Sequence, residues 1–143
     1  MRDAIVIIPT YNEIENIESI IRAVFSLEKP FDILVVDDNS PDGTANMVGD
    51  LQSEFKDRLF IEIRKEKSGL GTAYIHGFKW CLAKHYEYIF EMDADFSHNP
   101  KDLPRLYETC HNENADVAIG SRYIKGVNVV NWPLGRVLLS YLA

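Results

Sequence analysis

Short apolar runs alternate with amphipathic stretches along this chain. Residues 5–8 and 33–36 are apolar at every position, which is typical of strands covered on both faces, as in a parallel sheet. Three further runs rich in β-branched or aromatic residues predict strands at 59–63, 88–92 and 117–119.

Helical periodicity separates these runs. Between the first two, apolar residues recur every three or four positions, at 14, 17, 20, 21, 24 and 27, which predicts one buried stripe. Asn12 is the expected N-cap, with Glu15 as its capping-box partner. Further helices are predicted over about 44–55, over about 71–84, and after Pro100, with one more from about 133. The order β-α-β-α-β-α-β-α-β indicates a doubly wound α/β sheet with helices on both faces.

The composition fits a single globular domain over residues 1–143, with 46% hydrophobic and 26% charged residues. A formal net charge of −7 excludes broad electrostatic binding to nucleic acid as a default. No apolar run approaches the ~20 residues that span a bilayer, and no signal peptide is expected. Cys81 and Cys110 lack the spacing of a metal or redox site, so both are predicted to be reduced core residues of a cytosolic protein.

Carboxylates follow two of the predicted strands, at the edge of the sheet where ligands of such folds bind. Asp37 and Asp38 close the second strand. A carboxylate there can accept hydrogen bonds from a nucleobase or a ribose, and helix capping by residues 40–43 is the alternative. Asp93 and Asp95 follow the fourth strand and predict a site for Mg²⁺, which takes one or two carboxylates together with substrate phosphates.

The glycines of residues 69–71 and the cation Arg122 each have two possible interpretations. Residues 69–71 form a tight turn into a helix, or a loop near ligand phosphates that Lys65 and Lys67 support. Arg122, after the fifth predicted strand, is placed to fork onto phosphate oxygens, and a salt bridge to a strand-end aspartate is the alternative. The first strand lacks the glycine-rich turn that follows it in nicotinamide-dependent oxidoreductases, which disfavours that class.

Taken together, these motifs resemble glycosyltransferase family 2. They are Pro9-Thr10-Tyr11-Asn12-Glu13, the segment 35–44, Asp93-Ala94-Asp95 and Gly120-Ser121-Arg122-Tyr123. The segments 67–73 and 96–100 are similar to the dolichol-phosphate mannose synthase-like branch. The resemblance implies the nucleotide-diphospho-sugar transferase fold called GT-A, with a mostly parallel, Rossmann-like sheet.

The resemblance also implies the site residues. Ten positions would bind the nucleotide-sugar: Pro9, Tyr11, Glu13, Val36, Asp38, Asp93, Ala94, Asp95, Arg122 and Arg136. Asp93 and Asp95 would hold Mg²⁺ or Mn²⁺, and Asp95 and Arg122 would be the catalytic residues. Ser97 stands where some relatives place a glutamine as a further metal ligand, so a water is expected in its place.

The implied reaction transfers a sugar, mannose from GDP-mannose, to dolichyl or polyprenyl phosphate with inversion at the anomeric carbon. Such an acceptor has a second pKa of about 6 and is largely ionised at neutral pH. It therefore needs guiding by cations more than deprotonation by a base, and no convincing candidate for a base is found. The alternatives are a family 2 transferase that uses a UDP-sugar and a saccharide hydroxyl, and a non-catalytic nucleotide-sugar-binding module.

Members of the family continue well past the position of Ala143. The resemblance therefore predicts a C-terminally truncated GT-A domain that binds nucleotide and transfers sugar poorly or not at all. We expect a cytoplasmic protein, at most peripheral at the cytoplasmic face of a membrane. Contact with the membrane surface is expected only through parts absent here or through a partner.

Overall fold

A computed structural model describes residues 2–121. It contains four strands: β1 (Ala4–Thr10), β2 (Asp32–Asp37), β3 (Leu59–Ile63) and β4 (Tyr88–Glu91). Four α-helices alternate with the strands, one after each: α1 (Ile17–Phe25), α2 (Thr44–Glu54), α3 (Leu70–Ala83) and α4 (Leu103–Glu113). A 3₁₀ turn at Pro100–Asp102 precedes α4. The strands form one parallel sheet in the order β3-β2-β1-β4.

The central strand β1 divides the interior into two cores. Val6 and Ile8 face the core formed with α1, α2 and α4, whereas Ile5 and Ile7 face the core beneath α3. All four side chains are fully buried, because alternate residues of a strand point to opposite faces. This arrangement confirms the predicted parallel sheet with helices on both faces.

Two predicted elements differ from the structure. The first helix begins at Ile17, not directly after Asn12, and Asn16 is its N-cap residue; Asn12 instead takes a left-handed backbone conformation with φ 61°. The predicted strand at 117–119 does not form. A strand needs a hydrogen-bonded neighbour, but within residues 2–121 no strand pairs with this segment, and nothing covers its apolar side chains, since Val117 and Ile119 are 73% and 82% exposed.

The structure confirms the other predicted strands to within a few residues, and it likewise confirms the predicted helices α2, α3 and α4. The helix predicted from about residue 133 lies outside the described residues. Both cysteines are free thiols, but only Cys81 is a core residue, since Cys110 is half-buried. Burial raises the pKa of the Cys81 thiol to about 12. None of the helices within 2–121 has the length and apolar character needed to cross a membrane.

A glycine allows α3 to lie directly on β1. A Cβ atom built at Gly77 would lie 2.8 Å from Cγ2 of Ile7 and 2.9 Å from its Cδ1. Ile7 is fully buried, so its side chain has little room to move away. The close approach of helix and sheet therefore depends on the absence of a side chain at residue 77.

We predict that Gly77→Ala destabilises the fold, with a net loss of about 1 kcal/mol in the free energy of unfolding. Overpacking against Ile7 costs about 1–3 kcal/mol, which exceeds the gain of about 1 kcal/mol in helix propensity. Chemical denaturation measures the difference. Gly49→Ala in α2 is the matched control, because nothing lies within 4 Å of its Cβ position. It should stabilise the protein, and the same sign for both variants would contradict this packing.

Candidate functional site

The order of the strands places a cavity at the carboxyl edge of the sheet. The chain builds β1, β2 and β3 in one direction and then returns to place β4 on the other side of β1. Ligands of open α/β sheets bind at such a reversal. A cavity of about 300 Å³ opens there. It is lined by residues from the ends of β1, β2 and β4 and from the start of α3: Pro9, Thr10, Tyr11, Glu13, Asp38, Lys67, Leu70, Ala73, Asp93, Ala94 and Asp95.

Most of the predicted nucleotide-sugar residues meet at this cavity. Seven of them line it: Pro9, Tyr11, Glu13, Asp38, Asp93, Ala94 and Asp95. Val36 does not line it, because its side chain is fully buried in the core beneath α3. Arg122 and Arg136 lie outside the described residues. The lining also includes Lys67, which the sequence suggested only as support for a phosphate loop.

Side chains after β2 hold the loop after β1. Three successive backbone N–H groups of that loop, each at 3.0 Å, donate to side-chain oxygens: Asn12 to Ser40 Oγ, Glu13 to Thr44 Oγ1, and Ile14 to Asp42 Oδ2. These bonds hold the chain in a non-helical path through residue 14, which explains the late start of α1. They also fix the backbone that carries Tyr11 and Glu13 at the cavity.

The two aspartates after β2 have different environments. Asp37 is fully buried and accepts hydrogen bonds from Thr10 Oγ1 at 2.8 Å, from the Ser40 amide at 2.8 Å and from Ser40 Oγ at 2.6 Å. It therefore stabilises the loops. Asp38 lines the cavity, and both of its oxygens accept bonds from the guanidinium of Arg64, at 2.6 and 2.7 Å.

The sequence did not single out Arg64 as a site residue. The signal that could have found it is its position directly after β3, where its side chain can reach the neighbouring strand end. This pairing raises the pKa of Arg64, because the guanidinium donates hydrogen bonds to the Asp38 carboxylate. A salt bridge to a strand-end aspartate is the alternative role of Arg122. At Asp38, Arg64 forms that salt bridge instead.

The loop after β4 presents two carboxylates to the cavity. Asp93 Oδ1 accepts a hydrogen bond from the Tyr74 hydroxyl at 3.1 Å, and Asp95 Oδ1 accepts one from the Ser97 amide at 2.9 Å. Asp93 Oδ2 lies 4.0 Å from Nε2 of His98, within ion-pair range when that imidazole is protonated. This separation is longer than a hydrogen bond, so Oδ2 of Asp93 can still accept one from a ligand. Phe96 adopts a left-handed φ of 59°, a strained conformation for a bulky residue.

Hydrogen bonds set the protonation of this loop. Desolvation is the largest single effect and raises the pKa of Asp95, but hydrogen bonds from Ser97 and from the backbone, together with the nearby His98, hold the pKa below its ordinary value. Burial, followed by the negative charge of Asp93, raises the pKa of Tyr74 above its usual range. At neutral pH Asp95 is therefore ionised, while Tyr74 keeps the proton that it donates to Asp93.

The charges of the lining favour a bound cation. Glu13, Asp38, Asp93 and Asp95 line the cavity together with one cation among the described lining residues, Lys67. No cluster of three or more histidine, cysteine or acidic side chains suited to a metal occurs within residues 2–121. Two carboxylates fit Mg²⁺ or Mn²⁺ when substrate phosphates and water complete the coordination. Asp93 and Asp95 stay the predicted ligands of such an ion.

Curated relatives match nearly the whole chain. A polyprenol monophosphomannose synthase from Mycolicibacterium smegmatis is 48% identical over 97% of this chain and 52% of its own length. An undecaprenyl-phosphate mannosyltransferase from Micrococcus luteus is 44% identical over 94% of the chain and 54% of its own length. A dolichol-phosphate mannosyltransferase from Pyrococcus furiosus is 43% identical over 94% of the chain and 37% of its own length. The chain thus spans about half the length of the first two.

A solved structure has the same fold. The S. aureus TarS 1-349 structure superposes with a TM-score of 0.65 and 24% identity over 90% of this chain and 38% of its own. A mannosyltransferase from Pyrobaculum calidifontis in complex with GDP-Man and Mn²⁺ gives a TM-score of 0.48 and 28% identity over 55% of this chain and 24% of its own, a likeness too slight to carry an argument. The sequence profile of Glycosyl transferase family 2 matches residues 5–141. The chain therefore belongs to glycosyl transferase family 2, and its sheet is of the GT-A type.

Proposed function

We propose that this chain is the donor-binding part of an inverting, metal-dependent transferase that moves mannose from GDP-mannose to polyprenyl or dolichyl phosphate. The observation that carries the proposal is the identity of 43–48% to three relatives. One is named as a polyprenol monophosphomannose synthase, and the others as mannosyltransferases for undecaprenyl phosphate and dolichol phosphate. The acidic cavity at the edge of the sheet supports it, because a divalent cation would complement that charge and would bind the diphosphate of the donor at the same place.

Asp93 and Asp95 are proposed to hold Mg²⁺ or Mn²⁺, which when bound would neutralise charge on the leaving diphosphate. Tyr74 orients one of these carboxylates, since its hydroxyl donates to Asp93 Oδ1 at 3.1 Å. Ser97 constrains the other through its amide, 2.9 Å from Asp95 Oδ1. The protein thereby holds both ligands in place before the donor arrives, which lowers the cost of organising the site.

The remaining lining residues are proposed to position the nucleotide. Asp38 would accept hydrogen bonds from the base or ribose, because a carboxylate already paired with an arginine still has unused acceptor sites. Lys67 would contact the diphosphate; its ammonium lies 4.2 Å from the centre of the Tyr11 ring. Pro9, Glu13 and Ala94 complete the proposed nucleotide contacts.

The acceptor would need no base from this chain. A phosphate monoester has a second pKa of about 6, so its oxygen is largely ionised at pH 7 and can attack the anomeric carbon directly. The protein then contributes positioning and electrostatic stabilisation. Arg122 and Arg136 stay predicted contacts of the donor sugar and its phosphates. The reaction would take place at a membrane surface, its cytoplasmic face in our proposal, because the acceptor is a membrane lipid.

Calorimetry with GDP-mannose and UDP-glucose, each with and without Mn²⁺, tests the proposal. Tighter Mn²⁺-dependent binding of GDP-mannose supports it, whereas a preference for UDP-glucose would favour transfer to a saccharide hydroxyl. A transfer assay with polyprenyl phosphate then separates a transferase from a binding module. Donor binding without turnover, by a protein as long as the curated relatives, would favour the binding module.

We predict that Asp95→Ala removes the effect of Mn²⁺ on donor binding. Mn²⁺ should tighten the Kd of the unaltered protein for GDP-mannose at least about tenfold, which is about 1.4 kcal/mol. The variant should show nearly the same Kd with and without the ion, because one of its two ligands is gone. Asp50→Ala, at an exposed carboxylate of α2, is the control and should behave as the unaltered protein. An undiminished Mn²⁺ effect in Asp95→Ala would refute the assignment.

We predict that Lys67→Gln weakens the binding of GDP about three- to tenfold, because a cation near a diphosphate contributes on the order of 1 kcal/mol. Binding of guanosine, which has no phosphate, should not change. Lys65→Gln is the matched control, since this exposed neighbour does not line the cavity. Equal losses for GDP and guanosine would contradict a phosphate contact.

A further inference from the structure

Arg64 occupies an unusual position between two parts of the cavity. Its backbone N–H donates to the Asp37 carbonyl at 2.8 Å, so the residue continues the pairing of β3 with β2. Its side chain is 12% exposed and that of Asp38 is 8% exposed. An ion pair this protected from water is costly to break, because the partner left behind keeps an uncompensated charge.

The guanidinium of Arg64 donates hydrogen bonds to three residues. Nε and one Nη2 hydrogen bind the two oxygens of Asp38 in a parallel fork, the geometry that arginine matches and lysine does not. Nη1 donates to Thr72 Oγ1 at 2.8 Å, and Nη2 also reaches the Gly69 carbonyl at 3.4 Å. The Thr72 hydroxyl in turn donates to the Gly69 carbonyl at 2.7 Å.

These contacts tie the end of β2 to the start of α3. The intervening segment 65–72 is exposed throughout, yet it supplies Lys67 and Leu70 to the cavity lining. Its other described anchors are longer: Asn39 Nδ2 lies 3.5 Å from the Lys65 carbonyl, and Lys67 lies over the Tyr11 ring. The shortest contacts that join this segment to the sheet are therefore those made by Arg64.

We propose that Arg64 is a positioning residue that aims the Asp38 carboxylate at the cavity and seats the segment 65–72 as one of its walls. Arginine suits this role because its charge is permanent and its donors form a rigid fork. Its loss would affect the two sides of the cavity together, as Asp38 loses its partner and Lys67 loses its fixed backbone. The consequence for nucleotide binding rests on the proposed function, whereas the seating of the segment does not.

Limited trypsin digestion of the full chain tests the seating of the segment. Cleavage after Lys67 reports how often the segment opens, because proteolysis follows the population of the open state. We expect cleavage at this bond to be at least about tenfold faster in Arg64→Gln, and Arg64→Lys should not restore the original rate. An unchanged rate in Arg64→Gln, or full rescue by lysine, would overturn the proposal.

Arg22→Gln is the matched control. Arg22 also makes a two-pronged pair, with Glu54, in addition to a bond to Glu18, but these residues belong to α1 and α2 and do not line the cavity. This variant should leave cleavage after Lys67 unchanged. Faster cleavage in it as well would mean that general destabilisation, not the seating of one segment, causes the effect.

Two further measurements keep the proposal testable. Thr72→Val removes one anchor of the segment and keeps the Arg64–Asp38 pair. Cleavage after Lys67 should therefore accelerate in this variant, even if Arg64→Gln does not fold. No acceleration would overturn the proposal.

GDP binding should be at least about tenfold weaker in Arg64→Lys and unchanged in Arg22→Gln. An unaltered Kd in Arg64→Lys would contradict the orienting role. If the unaltered chain bound no GDP, the proposed function would fail while the digestion still decided the seating of the segment.

Discussion

Like charges gathered at one edge of a sheet repel one another unless positive charge lies among them, and this constraint organises the site. The fold itself balances Asp38, which is paired with Arg64 at 2.6 and 2.7 Å. Asp93 and Asp95 accept hydrogen bonds from Tyr74 and Ser97, and Nε2 of His98 lies 4.0 Å from Asp93 Oδ2, but neither carboxylate has the close arginine pair that Asp38 has. A divalent cation would balance the negative charge that remains on these two carboxylates and would in turn bind the diphosphate.

Buried strands and hydrogen-bonded loops hold these charged side chains in place. β1 lies between β2 and β4 and buries both of its faces, so the ends of three adjacent strands have fixed separations. The loop after β1 is bound through three successive amides by Ser40, Thr44 and Asp42. Because the supporting groups are themselves hydrogen-bonded or buried, a ligand would meet an organised cavity, which reduces the entropy lost on binding.

Periodicity and strand-end chemistry predicted most of this arrangement from the sequence. The continuous apolar runs predicted buried parallel strands, and Asp93 and Asp95 were predicted because they follow one of them. Contacts between distant residues were not predictable. The side chains that delay α1 come from residues 28 to 31 positions away, and Arg64 lies 26 positions from Asp38. The strand expected at 117–119 had suitable residues, but composition does not reveal whether a neighbouring strand is in place.

The most direct test of the account is an anomalous diffraction measurement on crystals of this chain grown with GDP-mannose and Mn²⁺. The account predicts one manganese peak within coordination distance of both the Asp93 and Asp95 carboxylates, with donor phosphate oxygens bound to the same ion. A manganese ion located elsewhere, with the diphosphate bound away from these two side chains, would contradict it.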